Sequence, residues 1–524
     1  MRVLIVGAGP AGLVMAHELA RYGVQCRLID RQRYRPITSR AIAILPRTTE
    51  IFNLMRVADD FLGAGRPIRA INIFNDTERI ARIGLHRLDS PYPFALALPQ
   101  DETERLLEKD VLRLGINVER NTELMTLYQN QEGVTARVRI NGSRIEQTGC
   151  DYLIGCDGAH STVRHLLGMP FRGGSYKETV LLADVRVEGS LERDEAQIFL
   201  HTNGLTLLFP MPKDRYRLVA ADPPPHWGVE PTLDQCQSLM NMRDLDRLRL
   251  SDPSWTSTFR ISHRKADHFR LGRVFLAGDA AHVHSPMGAQ GMNAGIQDAF
   301  NLAWKLGLVA SRIARPELLD SYEAERMPID ARITHWTDYA TRILSSRGPT
   351  AHFFLRRILS NVTRVDIIRH GLVKIASQIA ANYRTSPIVE EHEVKTGPRA
   401  GDRAPDAMIR SAKSRVSMTL FDLFAQARHT LLLLWPGDFE SRSLGLRDDL
   451  FNIHKIADVD SNSGDFTDDD GTVALHYGLE PAAYLVRPDG YVAFRCRLSD
   501  ASQRLPEYLK RVFVAEGDAQ RKVA

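Results

Sequence analysis

Val3-Leu4-Ile5-Val6-Gly7-Ala8-Gly9-Pro10-Ala11-Gly12 decides the fold. The four leading apolar residues read as a short strand of the kind buried inside a parallel sheet. Leu13 to Tyr22 then carries Leu13, Ala16, Leu19 and Ala20 at helical spacing, and Gly23 suits a helix C-terminus. Val24 to Ile29 returns as a second strand and ends at Asp30. The result is a βαβ unit with G-x-G-x-x-G at its first turn. Gly7 permits the tight turn, Gly9 lets backbone approach a pyrophosphate, and Gly12 lets helix and strand pack closely. The phosphates lie on the helix N-terminus, where free N–H groups favour negative charge. Asp30 stands where a carboxylate bonds ribose hydroxyls. The unit predicts a dinucleotide without separating FAD from NAD.

Composition narrows the function classes. The 524 residues include 68 Lys plus Arg and 64 Asp plus Glu, a net charge of +4. That balance excludes a broad basic face for nucleic acid, though not an anion in one local pocket. With 44% hydrophobic and 25% charged residues, the chain is neither collagen, coiled coil nor wholly disordered. Its five cysteines (Cys26, Cys150, Cys156, Cys236 and Cys496) form no C-x-x-C pair. An odd count without a dithiol or zinc motif points to reduced thiols and a cytoplasmic location. No apolar run reaches the roughly 20 residues of a membrane span. Glycines interrupt the N-terminal apolar stretch, which argues against a signal peptide.

Further along, residues 66 to 100 hold strand-like runs and Thr103 to Leu114 reads as an amphipathic helix. Residues 116 to 154 and 180 to 220 alternate as strands, with Asn141-Gly142 a hairpin turn. Val274 to Leu276 is a short strand ending in Gly278-Asp279, and Gly291 to Leu308 is a helix. Residues 320 to 385 are helical in character, and Thr396 to Pro405 has linker composition.

Two more motifs stand out: Cys156-Asp157-Gly158-Ala159-His160-Ser161-Thr162-Val163-Arg164, and Gly278-Asp279-Ala280-Ala281-His282 followed by Pro286-Met287-Gly288-Ala289-Gln290-Gly291-Met292-Asn293. Alone, each is compatible with an ordinary turn or strand end. In this order, with Tyr92-Pro93-Phe94, Gln100, the run Asp298 to Lys305 and Tyr322-x-x-Glu325-Arg326, they resemble the single-component FAD-dependent aromatic hydroxylases. The phenol hydroxylase and pentachlorophenol monooxygenase branch is the nearest in pattern. The resemblance spans nearly the whole chain, including a C-terminal part from Gly401-Asp402-Arg403-Ala404-Pro405 that is thioredoxin-like in that branch.

The resemblance implies an α/β architecture. A Rossmann-like FAD-binding domain takes residues 1–65, 101–170 and 265–345, and an inserted mixed β-sheet substrate domain takes 66–100 and 171–264. A helical connecting segment at 346–396 and a thioredoxin-like domain at 397–524 follow. Gly7, Gly9, Pro10, Ala11 and Gly12 would hold the FAD pyrophosphate, with Asp30 and Arg31 at the adenosine ribose. Arg40, Gln100, Asp157, Gly278 and Asp279 would contact the phosphate and ribityl regions. Pro286, Gly288, Gly291, Met292 and Asn293 would pass the isoalloxazine ring, with Pro286, Gly291 and Met292 nearest the chemistry; no catalytic base is assigned. Ala289 stands where the family usually has a second glycine, and a methyl there disfavours positive φ.

Candidate substrate contacts are Phe199, His201, Phe209, Met211, Tyr216 and Trp227, each also readable as core. His282 and His284 form an H-x-H pair without a third His or Cys at ligand spacing, so no metal is assigned. The implied activity is an NADPH- or NADH-dependent monooxygenase that hydroxylates a phenolic or polyketide-type ring with O2 through a C4a-hydroperoxyflavin. Baeyer–Villiger or epoxidising chemistry on the same fold, and a non-catalytic flavin-binding protein, stay open. A homodimer is expected, and the C-terminal part, lacking a dithiol, is expected to pack or associate rather than catalyse.

Overall fold

The first apolar run forms the strand Arg2–Val6 at the interior of a six-stranded sheet. Its order is Arg270–Leu271, Val274–Leu276, Tyr152–Gly155, Arg2–Val6, Gln25–Ile29, Val118–Glu119. All neighbours are parallel except the first pair. Val3 to Val6 are buried, as a strand covered on both faces requires. The computed structural model describes residues 1–36, 41–76, 78–285, 288–344, 371, 373–440, 444, 446, 450–459 and 463–514. Arg40, Pro286 and much of the segment 346–396 therefore lie outside the described residues.

The first helix runs Pro10–Arg21, beginning before the predicted Leu13. Pro10 takes the first helical position, where a missing N–H costs nothing. The far end closes as predicted at Gly23, whose φ is +67°. Gly23 N–H donates to Ala20 O at 2.9 Å and Val24 N–H to Leu19 O at 2.9 Å, which satisfies the last carbonyls. Helices Gln100–Arg113 and Gln290–Ala310 pack beside it. A three-stranded meander, Thr122–Gln129, Val134–Ile140 and Arg144–Cys150, follows with its turn at Asn141 and Gly142, both left-handed.

The inserted region is an eight-stranded sheet ordered His282–Val283, Arg249–Ala266, Phe171–Glu188, Tyr216–Ala221, Gly204–Pro210, Glu195–His201, Ala70–Asn75, Glu78–Gly84. Leu181, Ala183, Val185, Leu208, Leu218 and Ala220 on one face form a core with Cys236, Leu239 and Met240 of helix Leu233–Asn241. Val180, Leu182 and Ile261, with half-buried Val219, Trp255 and Phe259, occupy the other face.

The C-terminal region builds another eight-stranded sheet around His429–Leu434, parallel to Phe451–Ala457 and antiparallel to Ala482–Val486. The stretch of linker composition before it is pinned in place. Ala400 and Ala404 are buried, and Arg403 reaches Glu50 at 3.2 Å. One apolar core runs from Leu4 and Leu13 through Phe52 to Phe421, Leu432 and Val486. Among the described residues no helix is long and apolar enough to cross a membrane.

His429 sits at this junction, edge-on to Trp304 at 5.4 Å and to Phe513 at 5.2 Å. Burial, helped by the Arg487 cation, pushes its imidazole down to about 3. An unfolded histidine titrates near 6.5, so the unfolded chain binds the extra proton first as pH falls. The stabilisation is complete above about pH 6.5 and is lost as pH drops toward 3. Denaturant titration of the wild type should therefore show about 2 kcal/mol less stability at about pH 5 than at about pH 7.5 from this group. The His429→Phe variant should lose correspondingly less over the same interval; equal losses would remove His429 from the linkage.

Candidate cofactor and active site

Three strand ends set the site. Val6 is in register with Ile29 and with Gly155, and Gly155 is in register with Leu276. The three sequence motifs begin immediately after these ends and so meet in one cleft. Gly7 has φ +104°, and a Cβ there would stand 2.4 Å from Cys156 O and 2.8 Å from the Asp157 Cα. A Cβ on Gly12 would stand 1.9 Å from Gly7 O. A Cβ on Gly9, by contrast, meets nothing within 4 Å among the described residues. Two glycines thus serve close packing, and the third leaves an open cradle over the N-terminus of Pro10–Arg21. That helix has no side-chain cap and no acidic residue in its first turn. Uncapped N–H groups beside an open cradle fit the pyrophosphate of an adenine dinucleotide.

Asp30 stands at the end of the second strand. Its Oδ2 accepts from Ala8 N–H at 2.7 Å and its Oδ1 from Gln32 N–H at 2.7 Å, so the glycine turn and this carboxylate are tied together. Arg31 is exposed just beyond. Gln100 donates to Glu104 Oε1 at 2.8 Å, and Arg120 lies 3.8 Å from Asp30. Burial raises Glu104 to about 7, with Asp30 adding to the shift. The sequence reading missed Glu104 and Arg120. Glu104 stands one helical turn from Gln100, a spacing that could have signalled it.

Asp157 forms the second corner. It accepts the Ser161 hydroxyl at 2.6 Å and Val163 N–H at 3.1 Å; burial nevertheless raises its pKa. Arg164 donates to Ala280 O at 2.8 Å, which fastens the second motif to the third. Gly278, at φ +61°, lies against Ala11 and Gly295, and its N–H donates to Asp298 Oδ2 at 3.0 Å. Asp279 stands exposed at the same turn.

Behind that turn, His282, His284 and Asp330 bring two imidazoles and a carboxylate within 4.8 Å. His282 Nε2 is 2.6 Å from Asp298, and Arg326 donates to the other Asp298 oxygen at 2.7 Å. Burial lowers the His282 pKa, but Asp330 and Asp298 outweigh it and raise it to about 9. His284 Nε2 lies 2.9 Å from Asp330, so two imidazoles, two carboxylates and the Arg326 guanidinium share one buried cluster.

The ring loop enters helix Gln290–Ala310 through Ala289, which adopts φ +56° and ψ 34° despite its methyl. The methyl does not keep the alanine out of the left-handed conformation. Asn293 is buried. Its Oδ1 accepts from Leu45 N–H at 2.9 Å, and its Nδ2 donates to Ala43 O at 2.9 Å and Ala289 O at 2.7 Å. Its side chain therefore positions Ala41–Leu45 against the helix. Gly288 has φ +88°, and Met292 is half-buried. Among the described residues outside its own helix, a Cβ on Gly291 meets nothing within 4 Å.

The substrate candidates divide between the two faces of the sheet. Phe209 and Met211 pack with Ile42, Ala43 and Ala289 beside the ring loop. Phe199 stacks on Phe74 at 5.0 Å, and with Tyr216 it lies in the core under Leu233–Asn241, with Trp227 against it. His201 pairs with Asp244 at 3.2 Å at the far end of its strand. The sequence reading missed the buried pair of Arg217 and Asp184, at 2.7 and 2.8 Å. Arg217 also donates to Ala41 O at 3.3 Å and lies 5.5 Å from the Trp255 ring. Alternation along Tyr216–Ala221 carried the signal: Tyr216, Leu218 and Ala220 share one face, Arg217 and Val219 the other.

Comparison with known proteins agrees with this geometry. A family model described as FAD binding domain matches residues 1–337, and one described as aromatic-ring hydroxylase, C-terminal, matches residues 397–515. The chain is 35% identical over 511 residues to a 6-methylpretetramide 4-monooxygenase of Streptomyces rimosus, covering 94% of this chain and 90% of that protein. It is 32% identical to a pentachlorophenol 4-monooxygenase of Sphingobium chlorophenolicum, covering 95% and 94%. A solved ternary complex of aklavinone-11 hydroxylase with FAD and aklavinone superposes with a TM-score of 0.78 at 26% identity, covering 97% and 98%.

Ala289 gives a direct check on the ring loop. A left-handed alanine costs about 1–2 kcal/mol, and glycine relieves this while losing about 0.5–1 kcal/mol in chain entropy. Ala289→Gly should therefore raise stability by about 0.5–1 kcal/mol in denaturant titration. A loss of stability would contradict the left-handed assignment.

Proposed function

The chain belongs to the FAD-dependent aromatic-ring hydroxylases, and from that membership we propose that this flavoprotein monooxygenase acts on a phenolic or polyketide-type aromatic substrate. The observation that carries the reading is the meeting of the Gly7–Gly12 turn, the Asp157 corner and the Gly278–Asp279 turn at one set of strand ends. The substrates in the relatives' names, 6-methylpretetramide and pentachlorophenol, and the aklavinone bound in the solved complex support the substrate class.

Bound FAD, reduced by NADPH or NADH, supplies electrons that split O2, one oxygen going to the ring and the other to water. The chain supplies the surroundings. The first helix takes the pyrophosphate charge, and Asp30 the adenosine ribose. Gly291 and Met292, at the N-terminus of their helix, would favour negative charge on a flavin ring held beside them. Phe209, Met211 and Ile42 offer an apolar wall that keeps water from the ring. Arg217, held by Asp184, ties the inserted sheet to Ala41 and would hold that sheet beside the bound cofactor.

The domain limits 1–65, 101–170 and 265–345 for FAD, and 66–100 and 171–264 for substrate, belong to the same proposal. The C-terminal order Phe451–Ala457, His429–Leu434, Ala482–Val486, Val492–Arg497, with the first pair parallel and the rest antiparallel, supports reading 397–524 as thioredoxin-like. Its lone Cys496 is buried and pushed up to about 12, which suits packing rather than redox work. A homodimer in the cytoplasm completes the reading.

Purified protein should be yellow with about one FAD per chain, and a panel of phenols should include compounds that speed NAD(P)H oxidation and gain one oxygen by mass. Peroxide measured alongside separates hydroxylation from uncoupled cycling. FAD-loaded protein that oxidises NAD(P)H at one rate with every phenol would overturn the substrate class. Asp30→Ala should weaken FAD by about 1.5–3 kcal/mol, the worth of hydrogen bonds to a charged group; an unchanged dissociation constant would remove Asp30 from the ribose.

A further inference from the structure

The turn Arg487-Pro488-Asp489-Gly490 joins two strands of the C-terminal sheet, Ala482–Val486 and Val492–Arg497. Hairpin turns ordinarily lie at the surface. This one is buried, with the Arg487 side chain at 0% and the Asp489 side chain at 2% exposure. It enters the FAD-binding region and contacts three of its helices.

Arg487 meets both oxygens of Glu325, on helix Asp320–Leu344, at 2.6 and 3.0 Å. Asp489 Oδ2 accepts from Asn301 Nδ2 and from Trp304 Nε1, each at 3.2 Å, on helix Gln290–Ala310. The Asp489 carbonyl accepts from Arg47 Nη2 at 2.7 Å, on helix Pro46–Leu54. Lys305 closes the group by donating to Glu325 Oε2 at 2.8 Å and Asn301 Oδ1 at 2.9 Å. The rings of Trp304 and Tyr383 lie 5.1 Å from the Arg487 guanidinium. A Cβ on Gly490 would stand 3.1 Å from Leu54, so the turn is seated tightly against the same helix.

Two of these helices carry the ring loop. Gln290–Ala310 begins at Gly291 and Met292 and holds Asn293. Pro46–Leu54 begins just after Leu45, whose N–H bonds Asn293. Asn301 lies eight residues beyond Asn293 on the same helix, and Arg47 lies two residues beyond Leu45. The buried turn thus bonds both elements that meet at Asn293, one of them just past Leu45 and the other two helical turns beyond Asn293.

We propose that Arg487 and Asp489 are positioning residues for the flavin ring, and that through them the C-terminal module clamps helix Gln290–Ala310 against Ala41–Leu45. The module is then part of the cofactor site rather than only a packing or association unit. The inference rests on the flavin reading of the cleft. Breaking a buried pair on one side leaves a charge uncompensated, so its effect travels along the helices instead of being absorbed by water.

The test uses the full chain in five forms: wild type, Asp489→Asn, Arg487→Met, Arg487→Lys, and the double variant Glu325→Gln/Arg487→Met, which removes both charges together. Three quantities are read on folded protein well below its melting temperature. These are the FAD dissociation constant, the visible absorption of bound flavin, and hydrogen exchange at Gly291–Asn293 in the apoprotein. The clamp predicts that Asp489→Asn stays folded, binds FAD about tenfold more weakly, shifts the flavin band and exchanges faster at those amides. Arg487→Lys should recover part of the affinity. Folded variants with wild-type affinity, band and exchange would overturn the clamp. So would failure of Asp489→Asn and the double variant alike to fold, since the network would then be general scaffold. Wild-type protein that binds no FAD would instead refute the flavin reading itself.

Discussion

Gly7 and the Cys156–Asp157 backbone lie so close that no side chain fits between them. That contact is possible because Val6 and Gly155 are paired in register on adjacent parallel strands, and it forces the second motif to start beside the first. Leu276, next in the same register, brings Gly278 against Ala11 and Gly295. A shift of one residue in any of these strands would reverse its side chains and displace its motif by about 3.3 Å. The cofactor cleft is thus a consequence of sheet register, and the open space at Gly9 and Gly291 is what the register leaves between the motifs.

Around this frame the chain spends its polar groups on rigidity. Asp30 ties its strand end to the glycine turn, Arg164 ties the Asp157 corner to Ala280, and Asp298 ties Gly278 to His282 and Arg326. Each link is buried or half-buried, where hydrogen bonds are stronger and unpaired groups more costly than in water. Left-handed Ala289 is the exception, a strained residue at the mouth of the ring loop, held by Asn293 through its carbonyl. The C-terminal module continues the same design, since one apolar core and one charge network run into it without a break.

What was legible in the sequence was what local conformation dictates. Gly7, Gly9 and Gly12 announce a turn, and Asp30 announces itself by its place at a strand end. Helices Pro10–Arg21 and Gln100–Arg113 each start three residues earlier than the apolar spacing suggested. What was not legible depends on distant partners. Phe199 and Phe209 are both aromatic strand residues, and only the helix Leu233–Asn241 decides which face is core. Arg217 and Asp184 stand 33 residues apart and become a pair only through antiparallel register. Pro and Gly in residues 396–405 imitate a free linker, yet Gly397 and Gly401 are there because Tyr484 and Arg384 leave no room for a side chain.

The claim that three separated stretches serve one extended ligand is tested most directly by comparing amide hydrogen exchange in apoprotein and FAD-loaded protein. Convergence predicts that added FAD slows exchange together at residues 7–12, 157–163 and 278–293. Slowing confined to residues 7–12, with the other two stretches unmoved at saturating FAD, would contradict it.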